Sequence, residues 1–255
     1  MILAIDVGNT NIVLGCIEDG RILNILRVHT NLQATAAEYA ISLSQLLEFY
    51  HLDPKGFEGT IVSSVVPPVT EALKGAVKQL TGRDCMVVGP GMKTGLNLRI
   101  DDPGTLAGDL LVGAVAAMNC YGCPAIVMDL GTATTMTVID KDGCFRGGAI
   151  LPGIKLGYAA LAAGTSLLPD ISITPPARAV ATNTVDCMRS GAVFGTAAIL
   201  DGLAERMEEE LGYPCRLIAT GGLSASVVPY CKKQIVCDDD LLLKGLWILW
   251  EKNRK

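Results

Sequence analysis

The sequence of 255 residues has no block or stripe of basic side chains, and its formal net charge is −5. Its longest like-charge runs are short and acidic, at Glu208 to Glu210 and Asp238 to Asp240. A protein that binds nucleic acid through its phosphates needs clustered Lys and Arg side chains. We therefore expect no nucleic-acid partner.

Long apolar runs and targeting signals are also missing. No uncharged apolar segment reaches about 18 residues, the length at which a membrane span becomes the expected interpretation. The first residues lack the basic region of a secretory signal, and Asp6 interrupts the first apolar stretch. We therefore expect a cytoplasmic protein with no membrane partner.

Patterns of metal-binding or disulfide-forming residues are weak. The nine cysteines have no framework spacing, and the only histidines are His29 and His51. The one close pair, Cys120 and Cys123, has no second pair or histidine nearby, as a zinc site would need. We expect most of the cysteines to be reduced core residues.

Aromatic residues are scarce as well, at 5%, although hydrophobic residues make up 50% of the chain. The core must therefore be built from Ala, Val, Ile and Leu, which is typical of packed α/β sheets. Three strand-like runs beginning at "MILAID" are followed by alternating helical and strand-like patterns. A similar order starts again at "PAIVMDLG".

The two halves share an internal repeat. Asp6, Gly8 and the pair Asp19-Gly20 recur 123 residues later as Asp129, Gly131 and Asp142-Gly143, each in the same strand–turn–strand context. Several matches at one offset indicate a duplicated unit. We predict two domains, residues 1–121 and 122–255, which face each other across a cleft, with the last helix packing back on the first domain.

The repeat pairs the corner "DVGNTN" with the corner "DLGTATT". Glycine permits close approach of a ligand, and backbone N–H and Thr hydroxyl groups can donate hydrogen bonds to phosphate oxygens. An aspartate beside phosphates is repulsive unless a cation intervenes, so Asp6 and Asp129 imply Mg²⁺ or another metal. Each corner taken alone is equally well explained as a hairpin with ordinary turn chemistry; the pair favours phosphate binding.

A third glycine-containing turn follows the strand-like run "LIAT", at Gly221 and Gly222. Glycines there would let the backbone approach a base or ribose, and a following helix N-terminus favours anions. Many strand-to-helix turns contain glycine for geometry alone.

Five motifs, "DVGNTN", "DLGTATT", "GGAILPGI", "NTVDCMRSG" and "ATGG", occur in an order and spacing that resemble the type III pantothenate kinases. These belong to the superfamily of acetate and sugar kinases, Hsp70 and actin. The resemblance implies an α/β fold of duplicated actin-like (ribonuclease H-like) domains, each a mixed five-stranded sheet flanked by helices. It also implies ATP-dependent phosphorylation of pantothenate, the first step of coenzyme A synthesis, by a homodimer that needs Mg²⁺ and K⁺ or NH₄⁺.

The resemblance carries over to individual positions. It implies that Asp129 binds the monovalent cation, Thr132 contacts ATP, and Thr184 contacts pantothenate bound to the partner subunit. Asp6 is expected to act through Mg²⁺, directly or by way of water. The first phosphate loop would comprise Asp6, Val7, Gly8, Asn9, Thr10, Asn11, Ile12 and Val13, and the glycine turn Gly221 and Gly222 would also bind ATP.

The catalytic base is expected at Asp109, where the family has Gly-Ala-Asp-Arg. The sequence "GDLLVGAVAAM" makes it a lone carboxylate near the start of an apolar helix, where the helix N-terminus favours the ionised form. An ionised carboxylate can accept the hydroxyl proton during phosphoryl transfer. An Asp that only caps the helix would look the same in sequence.

The substrate-binding positions implied by the resemblance depart from the family pattern. Gly-Ala is inverted to Ala107-Gly108, Leu110 replaces arginine, and Ile100 replaces a tyrosine. A lost guanidinium contact would remove about 1.5–3 kcal/mol of binding free energy. Three interpretations stay open: a pantothenate kinase with altered substrate contacts, a related kinase for another small hydroxyl compound, and a nucleotide-binding paralogue with impaired catalysis.

Overall fold

The computed structural model describes residues 1–254, and the chain in it divides into two compact units. Unit 1 comprises Met1–Gly95, Asp102–Ala116 and the segment that begins at Leu241. Unit 2 comprises Leu96–Asp101 and Ala117–Asp240. The last helix therefore belongs to unit 1.

Eleven strands form two sheets. The strands are β1 Ile2–Val7, β2 Asn11–Glu18, β3 Arg21–His29, β4 Gly59–Ser64, β5 Cys85–Val87, β6 Asn97–Leu98, β7 Ala125–Leu130, β8 Ala133–Ile139, β9 Cys144–Pro152, β10 Arg216–Thr220 and β11 Ile235–Cys237.

Eight α-helices accompany these strands. They are α1 Ala36–Phe49, α2 Pro67–Thr81, α3 Gly108–Tyr121, α4 Ile154–Ala163, α5 Thr184–Ser190, α6 Thr196–Leu211, α7 Ser224–Val227 and α8 Leu241–Asn253. Within residues 1–254, none is long and apolar enough to cross a membrane.

The sheet of unit 1 has the order β3-β2-β1-β4-β5. β1, β2 and β3 are antiparallel neighbours, whereas β1, β4 and β5 run parallel. The sheet of unit 2 repeats this arrangement as β9-β8-β7-β10-β11, with the same senses of pairing. The duplicated α/β fold predicted from the sequence is confirmed by this shared topology.

The central strand β1 is buried because helices cover both faces of its sheet. Alternate residues of a strand point to opposite faces, and Leu3 and Ile5 belong to the core cluster that also contains Leu43 of α1. On the other face, Gly15 lies opposite Ala4, and a Cβ on Gly15 would lie 2.9 Å from the Leu243 side chain of α8. Burial on both faces explains the continuous apolar run of this strand.

The first hairpins of the two units differ by one residue. In unit 1, Val7 pairs with Ile12, whereas in unit 2 Leu130 pairs with Thr134, so the second corner is shorter. The turn that follows is correspondingly longer in unit 2, where the Asp140 N–H donates to the Cys144 carbonyl at 2.9 Å. The offset of 123 residues is therefore the same before and after the hairpin only because unit 2 has one residue fewer in the first corner and one residue more in the following turn.

Unit 2 contains a strand that the prediction of five strands missed. The two-residue strand β6 pairs in parallel with β9 at Cys144 and Phe145, which makes this sheet six-stranded. The Arg99 N–H extends the pairing by donating to the Phe145 carbonyl at 2.9 Å. So short a segment shows no hydrophobic period, and only backbone hydrogen bonds define it.

The long helical pattern from Thr184 to Leu211 is not one regular helix. Residues Gly191–Gly195 form a π-helical segment between α5 and α6. A Cβ on Gly191 would lie 2.5 Å from the hydroxyl oxygen of Tyr158 on α4. The Tyr158 hydroxyl therefore packs directly on the backbone at the start of the π segment.

The contact between Gly59 and α8 predicts a large effect on stability. A Cβ on Gly59 would overlap the Trp250 ring, so we expect Gly59→Ala to lower the free energy of unfolding by about 1–3 kcal/mol. Urea denaturation measures this. Gly202→Ala in α6 is the control, because its Cβ meets nothing within 4 Å; it should be neutral or stabilising by up to about 1 kcal/mol. Equal stability of the Gly59→Ala and wild-type proteins would contradict this packing.

Candidate active site

The corner after β1 is a closed and braced loop. The Gly8 N–H donates to the Asn11 carbonyl at 3.0 Å. Thr30, which directly follows β3, holds the loop, since its Oγ1 donates to the Gly8 carbonyl at 2.7 Å and its N–H to the Thr10 carbonyl at 3.0 Å. Asn9, Thr10 and Asn11 remain exposed. Small polar groups are thus presented to solvent by a fixed backbone.

The eight residues predicted as the first phosphate loop fall into two groups. Val7 and Ile12 are buried strand residues of the core cluster, and Val13 is half-buried on β2. Asp6 and Gly8 are half-buried at the end of β1 and the start of the loop. Any contact that Val7, Ile12 or Val13 makes with phosphate must therefore come from the backbone.

The corner after β7 places the Asp129 carboxylate between two glycines. A Cβ on Gly131 would lie 3.4 Å from Asp129 Oδ1, and a Cβ on Gly221 would overlap that oxygen. Gly221 has φ +92, and a Cβ on it would also lie 2.7 Å from the backbone of Leu130. Gly221 therefore packs closely on Asp129, and its approach to a base or ribose stays a prediction.

The neighbouring predicted contacts of unit 2 are exposed. Thr132 is exposed, and its carbonyl accepts a hydrogen bond from the Gly153 N–H at 3.1 Å, which holds the loop. Gly222 is exposed, and a Cβ there would meet nothing within 4 Å. Thr184 is also exposed, at the first turn of α5, where the side chain of Asn183 accepts a hydrogen bond from the Asp186 N–H at 2.9 Å.

The predicted base, Asp109, lies inside the first turn of α3. Its Oδ1 accepts a hydrogen bond from the Leu110 N–H at 2.7 Å. Burial raises the pKa of this carboxyl above its usual value, opposed by hydrogen bonds from the backbone N–H groups of Leu110 and Asp109 itself. The expectation that the helix N-terminus would favour the ionised form is therefore outweighed by desolvation.

Three elements of unit 1 converge beside Asp109. Asp6 of β1 and Ser63 of β4 are direct neighbours in the parallel register. A Cβ on Gly108 would lie 3.2 Å from Ser63 Oγ and 3.7 Å from Val88 Cγ1. The first turn of α3 therefore rests at the carboxyl end of the parallel strands, the edge where α/β proteins place ligand sites.

The departures from the family pattern have defined positions. Ala107, Gly108 and Leu110 are half-buried around the start of α3. Ile100 is half-buried in unit 2, where its Cγ2 would lie 3.7 Å from a Cβ on Gly147. The side chain of Leu110 can neither donate a hydrogen bond nor carry a charge, so this position lacks the cation that the family pattern places beside the aspartate.

The carboxylates at the two corners are the candidate ligands for a metal ion. In residues 1–254, no group of three or more His, Cys, Asp or Glu side chains could hold a metal ion. Asp6 and Asp129 are instead single carboxylates at glycine-containing corners. Mg²⁺ is commonly bound in this way, through one or two carboxylates with water and substrate phosphates completing its shell. The donors therefore fit a cation that enters with a phosphate ligand.

The structure adds two residues that the sequence did not single out. Thr30 braces the first corner through Gly8 and Thr10. Ser63 lies between Asp6 and the start of α3. Ser63 lies within the run "TIVSSVV", and the only feature of the sequence that could have indicated a role for it is the presence of hydroxyl groups in an apolar strand. Thr30 follows a strand with no distinguishing pattern.

Comparison with known proteins identifies the relatives of this chain. A family model described as type III pantothenate kinase matches residues 2–206. A curated type III pantothenate kinase of Halalkalibacterium halodurans is 41% identical over 253 residues, which cover 99% of this chain and 100% of that protein.

Solved structures show the same fold at low sequence identity. A Campylobacter jejuni protein described as a Baf family transcriptional activator has a TM-score of 0.60 at 19% identity, covering 99% of this chain and 98% of that one. The polyphosphate/ATP-glucomannokinase of Arthrobacter sp. strain KM has a TM-score of 0.52 at 18% identity, covering 97% and 96%. The actin-like sugar kinase fold expected from the sequence is confirmed.

The two adjacent glycines after β10 should respond differently to substitution. Gly221→Ala forces φ +92 on an alanine and overlaps Asp129, so we expect a loss of about 1–3 kcal/mol in unfolding free energy. Gly222→Ala has open space and should leave stability within about 0.5 kcal/mol of the wild type. Urea denaturation of both variants measures this. An equal effect of the two substitutions would refute the close packing of Gly221 on Asp129.

Proposed function

Because this chain belongs to the type III pantothenate kinases, we propose that it transfers the γ-phosphate of ATP to the primary hydroxyl of pantothenate. The product is 4′-phosphopantothenate, and the reaction is the first step of coenzyme A biosynthesis. The observation that carries the proposal within the structure is the Asp109 carboxyl, half-buried at the start of α3 with a pKa raised by desolvation. It lies next to Gly108, which packs on Ser63, the neighbour of Asp6.

We assign the ATP contacts separately within each unit, from that unit's own geometry. The exposed, braced loop from Gly8 to Asn11 offers backbone and side-chain donors to phosphate oxygens. In unit 2 we assign an ATP contact to Thr132, which is exposed on a held loop. We also assign ATP contacts to Gly222, where space is open, and to Gly221, which packs on Asp129.

Two cations complete the ATP side. Asp6 would hold Mg²⁺, directly or through water, and Asp129 would hold the monovalent cation, K⁺ or NH₄⁺. Both carboxylates lie at strand ends beside glycines, which suits an ion that enters with phosphate. When bound, these cations supply positive charge that stabilises the charge developing on the phosphate oxygens.

The chemical step assigned to this chain is a proton transfer at Asp109. The primary hydroxyl oxygen of pantothenate attacks the γ-phosphorus, the bond from that phosphorus to the ADP oxygen breaks, and the hydroxyl proton passes to Asp109. A carboxylate whose pKa is raised by burial accepts a proton more readily than an exposed one. The hydrogen bond from the Leu110 N–H limits the positions that the carboxylate can take.

The acceptor side would include Ile100, Ala107, Gly108 and Leu110, with Thr184 supplied by the partner subunit of a homodimer. The exposed Thr184 is available for such a contact. Large apolar side chains that are exposed in unit 2 support an interface between copies; between residues 150 and 199 they are Ile150, Leu156, Leu161, Leu167, Val180 and Ile199. We place the enzyme in the cytoplasm.

The function is tested with purified protein, MgATP and KCl against a panel of acceptors. ADP release that depends on pantothenate, and that is weaker with glycerol or sugars, supports the proposal. The altered positions Leu110 and Ile100 favour one competing candidate, a kinase for another small hydroxyl compound. Faster turnover with another acceptor, at equal concentration, would favour that candidate over pantothenate.

Asp109→Asn is expected to affect activity and stability in opposite directions. It removes the proton acceptor, so kcat should fall by a factor of about 10² to 10⁴. Because the pKa of Asp109 is raised in the folded state, its ionised form lowers the stability of the folded protein at any pH above that pKa. This loss of stability disappears as the pH falls toward the usual Asp pKa. The variant should therefore have a higher Tm than the wild type near neutral pH, and the gain should shrink in acid.

Two measurements test this pair of effects: initial rates, and thermal unfolding followed across the acid range. Wild-type turnover in Asp109→Asn would show that Asp109 is not the base. A lower Tm than the wild type near neutral pH would contradict the burial cost.

Leu110→Arg tests the missing cation on the acceptor side. A charge-assisted hydrogen bond is worth about 1.5–3 kcal/mol, so KM for pantothenate should fall by a factor of about 10 to 100. KM for ATP should stay within about twofold of the wild-type value. Leu110→Met is the control, because it keeps the position apolar. An unchanged KM for pantothenate in Leu110→Arg would show that this position does not contact the substrate.

A further inference from the structure

A buried hydroxyl without a partner lies beneath the proposed base. Ser63 is fully buried on β4, and its Oγ has no hydrogen-bond partner among residues 1–254. An unsatisfied buried hydroxyl lowers the stability of a protein, so a native structure that retains one needs a reason. Function is a common reason, because catalytic sites tolerate groups that a stable core would exclude.

The position of Ser63 indicates what that function is. In the parallel register Ser63 lies opposite Asp6, so the two side chains share a face of the sheet. The same face carries Ala4 and Gly15, which lie against α8. On this face, Ser63 Oγ is 3.2 Å from the place where a Cβ on Gly108 would be. The hydroxyl therefore lies close to Gly108, one residue before Asp109.

We propose that Ser63 is a positioning residue for Asp109. In the reacting complex its hydroxyl forms a hydrogen bond with the first turn of α3. This bond orients the turn, and therefore also the Asp109 carboxylate that accepts the proton. Ser63 is fully buried, so it acts through this turn and does not touch the substrate. The role rests on the proposed function, since it concerns the base of that reaction.

The same strand provides a matched control. Thr60 is also buried, and its Oγ1 also lacks a partner among residues 1–254. Thr60 pairs with Leu3, a member of the core cluster on the opposite face of the sheet. Removing either hydroxyl deletes an unpaired buried group from β4, but only Ser63 lies on the face of Asp6 and next to Gly108.

The experiment compares Ser63→Ala with Thr60→Val by steady-state kinetics and thermal unfolding. We expect Ser63→Ala to lower kcat by a factor of about 10 to 100, the range that a small misplacement of a catalytic group produces. KM for ATP should stay within about twofold, and Tm should be unchanged or higher. Thr60→Val should likewise keep or raise Tm, with kcat within about twofold of the wild type.

Ser63→Cys is a second variant, since a thiol occupies nearly the same place but is a weak donor. It should also lose kcat. Wild-type kcat in Ser63→Ala or Ser63→Cys, an equal loss in Thr60→Val, or an effect confined to KM for ATP would each overturn the role of Ser63. A wild-type protein that does not phosphorylate pantothenate would instead refute the proposed function, so the two failures are distinguishable.

Discussion

The parallel pairing of β1 with β4 is the constraint on which the site in unit 1 depends. Its register places Asp6 beside Ser63, and Gly108 at the start of α3 packs against Ser63. A slip of one residue would turn Ser63 to the opposite face of the sheet. The register is fixed by burial on both faces, since Leu3 and Ile5 enter one core while Ala4 faces α8. The packing of β1 thus determines how Asp6, Ser63 and Gly108 are placed relative to one another.

Burial of Asp109 is the second feature that links stability to function. The first turn of α3 lies close to β4 because Gly108 has no side chain, and the neighbouring Asp109 is half-buried there. Desolvation raises its pKa more than two backbone hydrogen bonds lower it. A group that is unfavourable for folding near neutral pH is thereby made a better proton acceptor. The unpaired hydroxyl of Ser63 is a further cost at the same place.

Much of this fold follows from sequence patterns, and the exceptions have physical causes. The run "NIVLGCIE" forms β2 over its whole length, and an apolar strand between turn residues is a strong local signal in sequence. The strand β6 and the π segment depend on hydrogen bonds and on packing of Tyr158, which no local pattern reveals. The corners at Asp6 and Asp129 were predicted from their repeat, whereas the role of Gly221 and the direction of the Asp109 pKa depend on tertiary burial.

The central claim is that a duplicated kinase fold with a half-buried Asp109 transfers phosphate to pantothenate despite Leu110 and Ile100. It is tested most directly by identifying the product after incubation with MgATP, K⁺ and pantothenate, using mass spectrometry and phosphorus NMR. The account predicts one added phosphate, as an ester of the primary hydroxyl, formed in step with ADP. ADP formation without phosphorylated pantothenate, or no reaction by a folded protein that binds ATP, would contradict it.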